Sequence, residues 1–334
     1  MPAKHPAAGL PQATLAMEPG LRDRLFTPAA LNRLASNVSL QDRAITNLDM
    51  TGVDLSTTEI LLGGWGCPVL DAGVLDRMPR LHTVVYTAGT VKGFVTDELF
   101  ARGIQVSSGA ATNAQPVAEF TLAAILLAGK RIFEIDAEYR TTGNYRPAST
   151  KSGRWGNYGL TVGIVSASLI GRRVIELLAP FDVEVLLYDP FHQLPGVQNV
   201  SLEHLLANSD VVSIHAPELP ETRHMLNAET LALMQDGATL INTARGSLVD
   251  EPALLAELHA RRLHAVVDVT EPDVLPPGSP WFHAPNLTLT PHIAGSQGNE
   301  MFRLGDSAVR EIERLVAGQP LMHVVRQEAL AFTA

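Results

Sequence analysis

An arginine, a histidine and a group of acids fall in three segments that share one trait: the polar residue ends, or stands just past, an apolar, strand-like run. INTARGSLVDEPAL (241–254) carries Arg245, VVDVTEPDVLPPGSPW (266–281) carries Asp268, Glu271 and Asp273, and LTLTPHIAG (287–295) carries His292. Imidazole exchanges a proton near neutral pH, and a neighbouring acid can orient and charge it. A guanidinium clamps a carboxylate through two parallel hydrogen bonds. Ligands of an open α/β sheet bind beyond the carboxyl ends of its strands, so the three segments can converge there. The set suits proton transfer to or from a small anion. No HExxH or comparable ligand spacing occurs, so no metal is expected.

A second chemical signal is the strand–turn–helix GIVSASLIGRRV (163–174). A dinucleotide fingerprint here asks for glycine at 166, 168 and 171, whereas the chain has Ser166, Ser168 and Gly171. The first glycine normally permits the tight turn, and the second lets the backbone approach a pyrophosphate. The context still fits an anion site, because the turn opens a helix whose first N–H groups are free. Asp189 ends the next strand, where ribose hydroxyls would be read, and Pro190 and Phe191 follow with no arginine to hold a 2′-phosphate. The pattern favours NAD over NADP.

The elements that must position these residues form two alternating blocks. In the first, strand-like runs at 59–64, 81–88 and 103–108 alternate with helical stretches at 71–80 and 95–103. The second has six strand patterns, at 160–166, 183–189, 210–216, 238–244, 265–269 and 286–290, with helices between them. Such alternation indicates parallel sheets covered by helices. An apolar helix at 117–130 separates the blocks, and an amphipathic one at about 299–317 is expected to return to the first. The fold class is therefore α/β, with two doubly wound parallel-sheet domains. A Rossmann dinucleotide-binding domain (117–297) is inserted in a smaller flavodoxin-like substrate domain (1–116 and 298–334). The first twenty residues, broken by Pro and Gly, read as loosely ordered.

Composition narrows the partners. The 334 residues carry a formal charge of −10, which argues against nucleic-acid or anionic-membrane binding. One cysteine, Cys67, forms no internal disulfide, which fits a reducing compartment. No apolar run reaches bilayer length, so a cytoplasmic protein is expected.

Taken together, NAQPVAEFTLA (113–123), the altered turn with Asp189, SIHAPELPETRHMLNAE (213–229), the Arg245 segment and the Asp268–Gly295 segment occur in one family's order. The chain resembles the D-isomer-specific 2-hydroxyacid dehydrogenases, which include glyoxylate/hydroxypyruvate reductases and phosphoglycerate dehydrogenases. The resemblance implies that Arg245 binds a keto acid's carboxylate and carbonyl oxygen and that His292 is the acid/base. It also implies an acid five residues after Asp268 as the histidine's partner. Asp273 holds that position in place of the family's Glu, with Glu271 as the alternative. By the same resemblance, Ser166, Ser168, Leu169 and Ile170 meet the cofactor pyrophosphate, although many relatives have arginine at 169. His215, Ala216, Pro217 and Thr222 line the adenosine side. Thr243 and Ala244 face the nicotinamide, Asp268 accepts from its carboxamide, and His292 and Gly295 complete the cofactor site. Ala88, Gly89 and Thr90 form the loop whose N–H groups hold the substrate carboxylate. A homodimer is implied too. The altered turn and the altered acid keep open a non-catalytic, dinucleotide-sensing, corepressor-like reading. A phosphite- or formate-type dehydrogenase on the same scaffold is a further alternative, although formate enzymes of this superfamily pair the histidine with Gln and an acid at 273 favours proton transfer.

Overall fold

A computed structural model describes residues 9–41, 44–46, 52–146 and 155–332. The chain divides into two compact units. One runs up to Asn113 and resumes at Ser296, and the other is Ala114–Gly295.

The first unit is built on strands β1 (Gln12–Ala16), β2 (Ser39–Leu40), β3 (Ile60–Gly63), β4 (Thr83–Tyr86) and β5 (Gln105–Ser108). Their order, β5-β4-β3-β1-β2, is all parallel and of flavodoxin type. Helices α1 (Leu21–Leu25), α2 (Pro28–Asn37), α3 (Ala72–Asp76) and α4 (Asp97–Ala101) connect them, and α5 (Ala110–Gly129) begins in this unit and ends in the next. The loosely ordered N-terminus expected from Pro and Gly content is not what the structure shows beyond residue 8. Residues 1–8 lie outside the described part, but β1 is a central strand with Ala13, Leu15 and Ala16 buried. Thr14 is also buried in β1, its hydroxyl paired with Thr58 at 2.8 Å, and the polar Gln–Ala–Thr start hides the strand from a hydropathy reading.

The second unit starts with α6 (Ile132–Thr142) and then alternates strictly. Its strands are β6 (Leu160–Val165), β7 (Val183–Tyr188), β8 (Gln198–Asn199), β9 (Val211–Ile214), β10 (Thr239–Asn242), β11 (His264–Val267) and β12 (Leu287–Leu289). The order β8-β7-β6-β9-β10-β11-β12 is the doubly wound dinucleotide-binding arrangement. It reverses between β6 and β9, and this switch point is where such sheets take their ligands. Every residue of β6, β9 and β10 is buried, so these strands read as continuous apolar runs rather than as alternation. Helices α5 and α7 (Leu169–Leu178) cover one face, while α8 (Leu202–Asn208), α9 (Ala228–Ala232) and α10 (Glu251–His259) cover the other. β8 is an edge strand of two polar residues, too short to leave a hydropathy pattern.

The last helix, α11 (Met301–Val316), buries Met301, Leu304, Ala308, Val309 and Ile312 against α1, α2 and the first sheet. A final strand, β13 (Val324–Val325), pairs antiparallel with β5. Asn113 Oδ1 accepts from Ser296 N at 2.8 Å, tying together the two points where the chain leaves and re-enters this unit. Among the described residues no helix is long and apolar enough to cross a membrane.

Buried Glu311 on α11 holds β13 in place, both carboxylate oxygens lying 3.0 Å from Met322 N. Replacing Glu311 by Ala leaves that N–H without its partner, a loss of about 1–3 kcal/mol. Hydrogen exchange should then speed up in β13 and along the facing edge of β5, with the β6–β12 sheet unchanged.

Candidate active site

The first turn to build is the one after β6. Ser166 sits at φ 81°, the left-handed conformation that glycine adopts freely and a serine adopts at a cost of roughly 1–2 kcal/mol. The tight turn is thus kept without its glycine. Ser168 caps α7 by accepting from Gly171 N at 3.3 Å. The N–H groups of Leu169 and Ile170, in the first helical turn, have no intrahelical acceptor. Leu169 is 61% exposed, so the turn is open above it. Gly171 is required by close approach, since a Cβ there would lie 2.0 Å from the Ser166 carbonyl oxygen.

Asp189, expected to read ribose hydroxyls, is instead turned into the chain. One oxygen accepts from the N–H groups of Phe191 and His192, each at 2.8 Å, and the other from Ala167 N at 2.7 Å. Burial alone would raise the pKa of this carboxyl, but these backbone donors outweigh it and hold the group below the usual carboxylate range.

His215 follows β9. Burial pushes its pKa down to about 3, so the ring is neutral. Nε2 pairs with Ser213 Oγ at 2.9 Å, while Nδ1 is buried without a hydrogen-bond partner. Ala216 is buried beside it and Pro217 half-buried. Thr222 faces inward, donating to the Pro217 carbonyl at 2.7 Å and accepting from Leu219 N at 2.9 Å, which closes the 217–222 loop.

After β10, Thr243 is also committed internally, its hydroxyl 3.0 Å from that of Thr121 on α5. Asn242, which sequence reasoning passed over, brackets the next turn. Its Oδ1 accepts from Ala244 N at 3.0 Å and its Nδ2 donates to the Arg245 carbonyl at 2.8 Å. Arg245 is part-buried and donates to the Ala244 carbonyl at 2.6 Å. Gly246 lets this turn press on the loop after β11, since a Cβ there would fall 2.2 Å from the Thr270 carbonyl carbon.

Asp268 ends β11 and is buried. Its carboxylate accepts from Thr290 Oγ1 at 2.6 Å, Ile293 N at 2.8 Å and Ala294 N at 2.9 Å, and its backbone carbonyl from His292 N at 2.9 Å. These bonds clasp the TPHIAG turn up to Gly295 and hold His292 at φ 55°. His292 Nδ1 lies 3.0 Å from both carboxylate oxygens of Asp273. Glu271 points elsewhere, in a bidentate pair with Arg223 at 2.9 Å for both contacts. That pair borders a cavity of about 270 Å³ lined by Asn242, Gly246, Thr270 and Trp281.

In the first unit, Ala88, Gly89 and Thr90 form the loop after β4. The loop is fixed from β5, Ser108 Oγ donating to the Gly89 carbonyl at 2.7 Å and Gly109 N to that of Ala88 at 2.9 Å. Gly89 has open space where a side chain would stand.

The residues of the second unit suit a dinucleotide. They provide a helix start whose first N–H groups have no intrahelical acceptor, and a buried imidazole nitrogen without a hydrogen-bond partner.

Comparison with known proteins agrees. Residues 122–294 match the family model described as "D-isomer specific 2-hydroxyacid dehydrogenase, NAD binding domain". The glyoxylate reductase of Thermofilum pendens is 34% identical over 277 residues, which cover 78% of this chain and 79% of that protein. The D-3-phosphoglycerate dehydrogenase of Mycobacterium leprae is 33% identical over 75% of this chain but only 48% of its own length, so the chain spans about half of that relative. The structure of the Aquifex aeolicus D-lactate dehydrogenase complexed with NAD and lactic acid superposes with a TM-score of 0.72 at 25% identity. That match covers 92% of this chain and 96% of the other.

His215 also makes a stability prediction. The folded ring stays neutral down to about pH 3, whereas in the unfolded chain it takes a proton near 6.5. Its contribution is therefore complete above the unfolded value and is lost as pH falls toward the folded one, at about 1.4 kcal/mol per pH unit. Urea unfolding at about pH 7 and about pH 5 should show roughly 2 kcal/mol more acid destabilisation in the wild type than in His215→Leu.

Proposed function

Because the chain belongs to the D-isomer-specific 2-hydroxyacid dehydrogenase family and is an NAD-binding oxidoreductase of it, we propose that it interconverts a small 2-keto acid and the D-2-hydroxy acid. The observation that carries this reading is the His292–Asp273 pair, held at the carboxyl edge of the same sheet that bears the altered phosphate turn. With Nδ1 donating to Asp273, Nε2 is the ring nitrogen left for substrate. In reduction, His292 gives its Nε2 proton to the carbonyl oxygen, and in oxidation it takes the hydroxyl proton. Asp273 orients the ring and stabilises its charged form. Glu271, engaged by Arg223, is not needed in that role.

Arg245 binds the substrate carboxylate: its part-buried guanidinium, anchored on the Ala244 carbonyl, is the group that can clamp a carboxylate through two parallel hydrogen bonds. The Ala88–Gly89–Thr90 loop belongs to the same substrate function. We assign the unit containing that loop to substrate and the unit 114–295 to the cofactor. The first turn of α7, with Ser168, Leu169 and Ile170, would hold the pyrophosphate. The 215–217 segment would line the adenosine side, and Ala244 and Asp268 the nicotinamide side. When bound, the nicotinamide supplies the hydride.

The same reading includes a homodimer and a cytoplasmic setting. Helix α6 buries none of its residues and exposes Ile132, Phe133 and Tyr139, with Leu127 of α5 and Tyr145 and Tyr158 beyond, an apolar surface suited to a second copy. Cys67 is buried and its thiol is pushed up to about 12 by that burial, so it is inert.

NADH consumption with glyoxylate, pyruvate and hydroxypyruvate tests the proposal. Turnover is expected with at least one of them. His292→Asn should lower kcat by about 10²–10⁴-fold while NADH still binds, and Arg245→Gln should raise KM for the keto acid. NADH binding with no turnover on any keto acid would favour the non-catalytic reading.

A further inference from the structure

The sheet of the first unit has a switch point of its own. Its order reverses between β1 and β3, and the crevice beyond the carboxyl ends of those two strands is where such a sheet takes a ligand. The loop after β3 places a tight turn there. Cys67 N donates to the Gly64 carbonyl at 3.0 Å, and Gly66 stands at φ 82°, the pattern of a type II turn with Trp65 at its second position. Both glycines have steric reasons. A Cβ at 64 would fall 2.8 Å from Leu21 Cδ2, and one at 66 would fall 2.8 Å from Glu18 N. Glu18 N also donates to the Trp65 carbonyl at 2.7 Å, which fixes the turn to the loop after β1. Trp65 itself has no such reason, because nothing in a type II turn calls for an aromatic at its second position. The residue is nevertheless a large indole, 39% exposed, and Val69 in the same loop is exposed too.

The turn adjoins the loop assigned above to the substrate carboxylate. β3 and β4 pair with Gly63 opposite Tyr86, and the Gly63 carbonyl accepts from both Thr87 N and Thr87 Oγ1 at 2.9 Å. The Trp65 turn and the Ala88–Gly89–Thr90 loop therefore leave neighbouring strands, about 4.8 Å apart. In a 2-keto acid the substituent begins two bonds from the carboxylate carbon, so a carboxylate held by the 88–90 loop brings its substituent to residues beside that loop. We propose that Trp65 is a specificity-determining residue that covers this substituent, and that the substituent selected is apolar, an aliphatic or aromatic side chain. An indole face gains when apolar atoms cover it and loses when a hydroxyl or phosphate must shed water against it. The charged pair beside the turn, Glu18 with Arg24 at 3.3 Å, is exposed and balanced. Lys92, two residues past Thr90, is the cation of the neighbouring loop, which makes a phosphorylated substituent the competing outcome. The inference rests on the proposed keto-acid reading for the identity of the ligand but not on turnover.

The test is calorimetric titration of the full chain, saturated with NAD, with pyruvate, 2-ketoisocaproate and 3-phosphohydroxypyruvate. Oxidised cofactor and keto acid form a dead-end complex, so binding is read without turnover. 2-Ketoisocaproate has three more carbons than pyruvate and should bind at least tenfold more tightly, since a buried methylene is worth about fourfold. Trp65→Ala should bring the two acids within about threefold of each other, while Trp65→Phe, which keeps an apolar ring, should retain the preference. Equal binding of the two acids by the wild type, a preference that survives Trp65→Ala, or tighter binding of 3-phosphohydroxypyruvate than of 2-ketoisocaproate overturns the inference. Graded binding without NADH oxidation by any keto acid would overturn the proposed reaction and leave this inference standing. Turnover whose substrate ratios are unmoved by Trp65→Ala would overturn this inference alone.

Discussion

The buried carboxylate of Asp268 is the interaction on which the site depends. It sits at the end of β11 and accepts three hydrogen bonds from the residues that follow β12. A buried carboxylate is costly unless it is fully hydrogen-bonded, so the bonds come as a set. Thr290 supplies a hydroxyl, and Ile293 and Ala294 supply their N–H groups, which fixes the turn between them. His292 is the residue inside that turn, and its left-handed backbone is tolerable because the flanking bonds over-determine it. The imidazole is thereby presented to Asp273 by hydrogen bonds centred on Asp268, one of them from the His292 N–H itself.

The same logic recurs along the sheet edge. Asn242 brackets the turn of Arg245 as Asp268 brackets that of His292, and Asp189 staples the phosphate turn through Ala167. Three polar side chains at the ends of β7, β10 and β11 thus work on the backbone and leave the exposed chemistry to their neighbours. Parallel strands with both faces covered leave only their carboxyl ends for such work.

Much of this was legible in the sequence. The two alternating α/β blocks, the strand preceding each functional segment and the family followed from apolar runs and motif order. What escaped had physical causes. β1 begins with polar residues whose burial is made possible by the Thr14–Thr58 pair, and that partner lies 44 residues away. Spacing favoured Asp273 over Glu271 as the partner of His292, but what keeps Glu271 away, its pairing with Arg223 48 residues earlier, leaves no local trace. Asp189 has the right type and position for a ribose reader. Its inward turn rests on backbone N–H groups of residues 167, 191 and 192, whose positions a residue type does not reveal.

The most direct measurement is the turnover of Asp268→Asn. The asparagine keeps the shape but replaces one acceptor oxygen with a donor, so it opposes at least one of the bonds that clasp the His292 turn. If Asp268 positions the acid/base, kcat for keto-acid reduction falls by about a hundredfold or more. KM for the keto acid and the affinity for ADP-ribose, which lacks the nicotinamide, stay near wild type, and the chain remains folded. Turnover within about twofold of wild type would contradict the account, because His292 would then hold its place without the carboxylate.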